Sequence, residues 1–78
     1  MPMFYFNVHN DDITLDDEGA ELADYHAAYA HAIKGARALA ADTVLRGHLG
    51  LSHRIEIVDG EQAVLGQVTF GEAVEVRP

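Results

Sequence analysis

Residues 24–47, DYHAAYAHAIKGARALAADTVLRG, decide the fold because they form one long stretch with helical periodicity. Apolar residues recur every three or four positions, which predicts an amphipathic helix from about Asp24 to Arg46. Asp24 is the expected N-cap, since its carboxylate can accept hydrogen bonds from free amides of the first turn. Gly47 is expected to end the helix in a left-handed conformation. The apolar stripe is predicted to contain Leu22, Tyr25, Tyr29, Ala32, Ile33, Ala36, Leu39, Ala40 and Val44.

Residues 3–9, MFYFNVH, precede this helix and form an aromatic and β-branched run of strand length. Residues 10–12 then predict a turn. Residues 13–15 predict a short return strand in which Ile13 and Leu15 point inward. Alternation along the first strand places three apolar side chains on one side, namely Phe4, Phe6 and Val8.

Residues 54–70 predict a β-hairpin, because apolar residues alternate with polar ones on both sides of a turn signal. The turn is assigned to Asp59-Gly60, a pair typical of tight hairpins. Gly66 indicates a bulge or a point of close approach in the second strand. Residues 71–78 could add a short extension through Val74 and Val76. Val64, Val68 and Phe70 are expected to share one face of that strand.

The order of these elements predicts an α+β fold of type ββαββ, a four-stranded antiparallel sheet with one long helix on one face. Residues 1–78 are expected to form a single domain with strand order 2-1-3-4 and residues 3–9 internal. One helix covers only one face of a sheet, so we expect the other face to meet a second copy of the chain. The side chains expected at this homodimer interface are Met3, Tyr5 and Leu65.

The segment that joins the second strand to the helix has its own local prediction. Gly19 is expected to adopt a positive φ that closes the turn between strand and helix. The Glu21 carboxylate is expected to accept hydrogen bonds from backbone amides near the start of the helix. Together these two residues would fix the crossover.

Charge is distributed unevenly along the chain, whose net charge is -8. Residues 1–24 contain seven carboxylates and no lysine or arginine, and the five basic residues are scattered over the rest. A phosphate-binding surface needs clustered positive charge, which excludes nucleic acid as a direct ligand. The acidic segment has two interpretations, solvation of a turn and a helix N-terminus or docking of a basic protein partner.

Composition also restricts where the protein acts. No apolar run approaches the roughly 20 residues of a membrane span, and the N-terminus lacks the basic region and cleavage site of a signal peptide. The chain has no cysteine, which excludes disulfides and thiolate metal sites. We therefore expect a cytoplasmic protein without membrane contact.

Catalytic and metal-binding patterns are weakly represented. The G-x-S-x-G elbow, the P-loop and the G-x-G-x-x-G loop are absent, so we expect neither enzyme activity nor a cofactor. His26 and His31 project about 140° apart on the helix and cannot chelate one ion together. Histidines and carboxylates elsewhere could converge on a divalent metal, although their spacing matches no established ligand pattern. The candidate ligands are His9, His48, His53, Asp16 and Asp17.

Four short motifs, in this order, resemble a family of small bacterial proteins of unknown function. They are YFNVH at residues 5–9, DEGAEL at 17–22, IEIVDG at 55–60 and VTF at 68–70. The resemblance covers nearly the whole chain and implies a terminal hairpin after an alanine-rich helix. Met3 departs from it, since the family often has arginine there. Ala23 also departs, because a proline commonly begins the helix. No catalytic residue is implied.

Two functional hypotheses follow from these observations. The first is a non-enzymatic protein-interaction or regulatory module that acts as a homodimer. The alternative is a small-ligand or divalent-metal-binding protein that uses a dimer cleft near the acidic loop at residues 11–18 and His9.

Overall fold

The computed structural model describes residues 1–78, which form a helix of six turns packed on an antiparallel sheet. Residues Met3–His9 form the predicted first strand, and the helix spans residues 25–45. The elements in chain order are β1 (Met3–His9), β2 (Ile13–Thr14), β3 (Ala20–Glu21), α1 (Tyr25–Leu45), β4 (Arg54–Asp59), β5 (Val64–Thr69) and α2 (Phe70–Ala73).

The sheet has the order β2-β1-β4-β5, which confirms the predicted ββαββ arrangement and strand order. The two-residue strand β3 was not predicted. It pairs with the first half of β1, where Ala20 lies opposite Phe4, and β2 pairs with the last two residues of β1. Because β4 occupies the other side of β1, β2 and β3 share one edge of that strand.

The ends of α1 follow the local signals in the sequence. The Asp24 side chain accepts a hydrogen bond from the Ala27 amide at 2.9 Å, which is the predicted N-cap. Gly47 has a φ of 95°, the left-handed conformation predicted for the residue after the helix. Neither α1 nor α2 combines the length and the apolar character that spanning a membrane would require.

The buried face of α1 is a row of four alanines, and three of them belong to the predicted stripe. The large stripe members Leu22, Tyr29, Ile33 and Leu39 are partly buried and pack against the same core. Tyr25 and Val44, which were expected to face the sheet, are exposed. A methyl side chain lets the helix backbone approach the sheet closely, and the large core side chains Ile57, Val68 and Phe70 come from the other elements. The buried alanines of α1 recur every four residues, as Ala28, Ala32, Ala36 and Ala40.

The prediction that Ile13 and Leu15 point inward is wrong. They are 65% and 70% exposed, respectively. The register explains this result, because Ile13 lies opposite His9. Residues directly opposite each other in an antiparallel pair share a face, and His9 belongs to the face that α1 does not cover. We call this face, which also carries Tyr5 and Val58, the open face.

A bulge in β5 also corrects the predicted facing of Val64. Ile57 lies opposite Gly66, whereas the next residue, Val58, lies opposite Val64, so that Leu65 is the extra residue. The bulge turns Val64 to the open face, while Val68 stays in the core under α1. Gly66 is both a bulge neighbour and a close-approach point, as predicted, since a Cβ there would collide with the Tyr25 hydroxyl.

The hairpin turn is longer than the Asp59-Gly60 signal suggested. The Asp59 Oδ1 atom accepts hydrogen bonds from the amides of Glu61 and Ala63 at 2.8 and 2.9 Å. The left-handed residue is Gln62, with a φ of 66°, and not Gly60. Asp59 therefore organises the turn through its side chain.

The chain does not continue as a strand after β5. A capping box joins Thr69 and Glu72 and begins the single turn α2. Phe70, predicted to lie on the strand and to share a face with Val64 and Val68, is fully buried and is the first residue of this helix. The predicted extension over residues 71–78 is therefore wrong.

Candidate binding cleft

The open face carries a cleft of about 530 Å³, on the side of the sheet opposite α1. Its floor consists of two cross-strand pairs of β1 and β4, Tyr5 with Val58 and Asn7 with Glu56. One wall is formed by residues 15–17, which follow β2. The other wall is formed by residues of the hairpin turn and the start of β5, namely Asp59, Gly60, Gln62 and Val64.

The lining of this cleft is strongly acidic. It includes the carboxylates of Asp16, Asp17, Glu56 and Asp59, and no lysine, arginine or histidine. The carboxylates of Asp16 and Asp59 accept hydrogen bonds from backbone amides. The carboxylate of Asp17 is exposed and makes no hydrogen bond within the chain. The cleft thus combines an apolar and aromatic floor with an anionic rim.

Asp16 binds the stretch of β1 that lies between the residues paired with β3 and those paired with β2. Its Oδ2 atom accepts a hydrogen bond from the Phe6 amide at 3.0 Å. Its Oδ1 atom accepts from the amides of Glu18 and Gly19, both at 3.1 Å. In return, the Asp16 amide donates to Asn7 Oδ1 at 2.9 Å. One side chain therefore replaces the missing strand residues.

The surroundings of Asp16 favour its charged form. Burial raises the pKa of this carboxyl, but the hydrogen bonds from the amides of Gly19, Phe6 and Glu18 lower it. The nearby His31 lowers it further, and the net result is a pKa below the ordinary value of 3.8. The His31 ring lies on α1 and packs against Phe6, with 4.6 Å between the ring centroids.

Gly19 packs against Tyr5, one of the residues of the cleft floor. It has the predicted positive φ, 71°. A Cβ at this position would lie 2.8 Å from Tyr5 Cε2 and 3.0 Å from Met3 Cε. Two of the three side chains expected at a dimer interface, Met3 and Tyr5, are therefore half-buried against the turn. The third, Leu65, is exposed at the bulge.

Glu21 does not have its predicted role at the start of the helix. Glu21 lies in β3 opposite Met3, and its carboxylate makes no hydrogen bond within the chain. The amides of the first helical turn are instead served by Asp24. Glu21 thus holds the crossover through backbone pairing only.

His9 lies beside the cleft without lining it. Its Nε2 atom is 2.7 Å from Glu56 Oε1, but the approach lacks the direction of a hydrogen bond. Its Nδ1 atom is 3.5 Å from an Arg54 guanidinium nitrogen. His9 therefore lies next to Glu56, at the edge of the cleft floor.

The candidate metal ligands named from the sequence do not converge. His53 packs edge-on against Phe70, and its Nε2 atom lies 3.6 Å from Asp11 Oδ1. His48 is exposed in the loop after α1. Only Asp16 and Asp17 belong to the cleft, and no group of three histidine or carboxylate side chains is arranged to hold an ion.

Several residues of the cleft were missed at the level of sequence. Alternation alone groups Tyr5 with Asn7 and Glu56 with Val58, but the register of β1 against β4 is needed to join the two pairs. Leu15 and Val64 were assigned to the wrong face, for the reasons given above. The acidic segment itself was the one signal that pointed to this location.

The fold and the cleft define a small α+β domain with a helix on one sheet face and an acidic cleft on the other. The chain belongs to the family of a domain of unknown function, DUF6894, whose family model matches residues 3–71. This match confirms the resemblance to a family of unknown function. No curated protein and no solved structure matches the chain.

Proposed function

We propose that this protein is a non-enzymatic interaction module that binds a basic segment of a protein partner in the cleft and acts as a homodimer. The observation that supports the first part is the lining of the cleft, with four carboxylates and no basic side chain. Anionic surfaces attract cationic partners and speed their encounter.

The chemistry of the floor favours an arginine or lysine side chain as the group that enters. The half-buried Tyr5 and the exposed Leu15 and Val64 on the walls provide apolar surface for the aliphatic stem of such a residue. The ring of Tyr5 can also attract the charged head through its π face. Because Asp16 is committed to backbone amides, the charges that remain for binding are mainly those of Asp17 and Glu56.

The same lining disfavours a second copy as the occupant of the cleft. A twofold interface places the same patch of both subunits together. The carboxylates of Asp17, Glu56 and Asp59 of one copy would then approach those of the other. Like charges brought together in this way are destabilising, so we propose the cleft for a basic partner and another surface for the homodimer.

A peptide titration tests the binding proposal. Calorimetry with an arginine-rich peptide is expected to show saturable binding that weakens as salt is added, while a glutamate-rich peptide of equal length does not bind. The double variant Asp17→Asn/Glu56→Gln should weaken binding by about threefold to tenfold. The control Asp12→Asn/Asp42→Asn removes the same charge outside the cleft and should bind like the wild type.

Two results would count against a basic partner at this site. Equal weakening by both double variants would show attraction to net charge rather than recognition in the cleft. A thermal shift with Ca²⁺, Zn²⁺ or Ni²⁺ and none with the peptide would favour the alternative, a metal-binding protein, because a ligand that binds only the folded state stabilises it.

A further inference from the structure

Arg54 is the one arginine of the chain without an oxygen acceptor. Its guanidinium forms no ion pair, and the only hydrogen-bond contact of its side chain is the 3.5 Å approach to His9 Nδ1. Each of the other three arginines has an oxygen partner, namely the Ala73 carbonyl for Arg37, the Asp42 carboxylate for Arg46 and the Glu75 carboxylate for Arg77. Since a guanidinium carries several N–H donors, Arg54 keeps most of them for a group outside the chain.

Arg54 lies on the open face, beside the Glu56 end of the cleft floor. It pairs across the sheet with His9, as Glu56 pairs with Asn7, so that both side chains belong to the same face of β4. Two residues of a strand span about 7 Å. A positive charge is therefore placed one step along β4 from the carboxylate in the cleft.

The charges of Arg54 and Glu56 do not neutralise each other. The two side chains form no ion pair, although their positions on one face of β4 would permit one. The His9 ring contacts both, with Nδ1 toward Arg54 and Nε2 at 2.7 Å from Glu56 Oε1. The open face thus presents a negative and a positive charge at strand positions about 7 Å apart.

We propose that the cleft selects a segment that carries an arginine or lysine and, two residues away, an aspartate or glutamate. The inference rests on the proposed function and defines the charge pattern of the partner. The floor follows β1 and β4 lengthwise, because Tyr5–Val58 and Asn7–Glu56 are successive pairs on one face. An extended segment laid along this floor presents alternate side chains to the sheet at the same spacing of about 7 Å. Its cation reaches Glu56, and its carboxylate reaches Arg54, whose planar guanidinium suits two parallel hydrogen bonds to a carboxylate.

The overall charge of the chain opposes this preference. With a net charge of -8, the protein repels a carboxylate that is added to a partner. A glutamate that strengthens binding must therefore meet a local positive charge. Arg54 supplies this charge on the open face, whereas Lys34 and Arg37 lie on α1, which covers the other face.

Titration of the wild type with three peptides, followed by amide chemical shifts in NMR spectra, tests the pattern. The peptides share one uncharged frame and contain Arg-Ser-Glu, Arg-Glu-Ser or Arg-Ser-Gln. The Arg-Ser-Glu peptide is expected to bind about twofold to fivefold more tightly than either of the others. The Arg-Glu-Ser peptide controls for composition and net charge, since adjacent residues of an extended segment point to opposite sides.

Charge reversal at Arg54 provides the matched test in the protein. Arg54→Glu should make Arg-Ser-Glu a weaker ligand than Arg-Ser-Gln, and the milder Arg54→Gln should remove the wild-type preference for Arg-Ser-Glu. Lys34→Glu changes the net charge as much as Arg54→Glu does, at an exposed position of α1, and should keep the wild-type preference. Arg54 has no ion pair to lose, so its variants should keep the circular dichroism spectrum of the wild type.

The outcomes separate the charge pattern from the cleft itself. Equal affinity of the wild type for Arg-Ser-Glu and Arg-Glu-Ser would overturn the pattern, as would an unchanged preference in Arg54→Gln. Binding of the arginine-rich peptide would then still support the cleft. Absence of binding by every arginine-containing peptide would overturn the cleft and the pattern together.

Discussion

Replacement of Gly19 by alanine is expected to be the most destabilising of three matched glycine substitutions. Gly19 has a φ of 71° and lies against the side chains of Tyr5 and Met3, so that a Cβ would lie 2.8 Å from Tyr5 Cε2. The left-handed backbone costs a residue other than glycine about 1–2 kcal/mol. Overpacking typically adds about 1–3 kcal/mol, which gives a loss of about 2–5 kcal/mol in the free energy of unfolding.

Two other glycines separate these contributions. Gly47 has a φ of 95° but no atom within 4 Å of its Cβ position, so Gly47→Ala tests backbone strain alone and should cost about 1–2 kcal/mol. Gly60 has neither a positive φ nor a neighbour within 4 Å. Gly60→Ala should therefore change stability by less than about 1 kcal/mol, in the stabilising direction if at all.

Urea unfolding followed by circular dichroism measures all three variants under the same conditions. For a domain of this size, each kcal/mol lost corresponds to a fall of about 4–8 °C in Tm, so a thermal scan gives an independent reading. Gly19→Ala should also disturb the tyrosine spectrum, since Tyr5 must move. A Gly19→Ala variant as stable as Gly60→Ala would contradict both the backbone strain at Gly19 and the clash with Tyr5.

Three further predictions concern the Asp16 carboxyl, the buried face of α1 and the N-cap of α1. The pKa of the Asp16 carboxyl is lower in the folded state than its unfolded value near 3.8. The stability that this carboxylate gives the fold is therefore present above that value and is lost as pH falls through the folded pKa. Asp16→Asn should remove this part of the acid dependence of the urea midpoint. Ala36→Leu should cost about 1–3 kcal/mol in unfolding free energy by overpacking, because Ala36 is fully buried between helix and sheet, whereas Ala38→Leu on the exposed side should leave stability nearly unchanged. Asp24→Ala should lower the unfolding free energy by about 0.5–2 kcal/mol through loss of the N-cap bond to the Ala27 amide, measured in the same way.

The features that the sequence determined are those that depend on neighbours within a few positions. The limits of β1, the N-cap at Asp24 and the left-handed Gly47 were all predicted, because each follows from local sterics or a single side-chain bond. Gly19 belongs to the same group. The strand order also followed, since short connections restrict how consecutive strands can pair.

The features that only the tertiary structure decided are those that depend on which face of an element meets the core. Alternation and helical periodicity group side chains, but they do not say which group is buried. The alanine row of α1 is buried because the sheet supplies the bulk, and the register with β1 turns Ile13 outward.

The cleft shows the same division. Its acidic wall at residues 16 and 17 was visible as a charge cluster in the sequence. Its floor required the pairing of Tyr5 with Val58, and its far wall required the bulge at Leu65 that turns Val64 to the open face. One extra residue in a strand reverses every side chain beyond it, and that residue is placed by pairing with a distant strand rather than by its own neighbours.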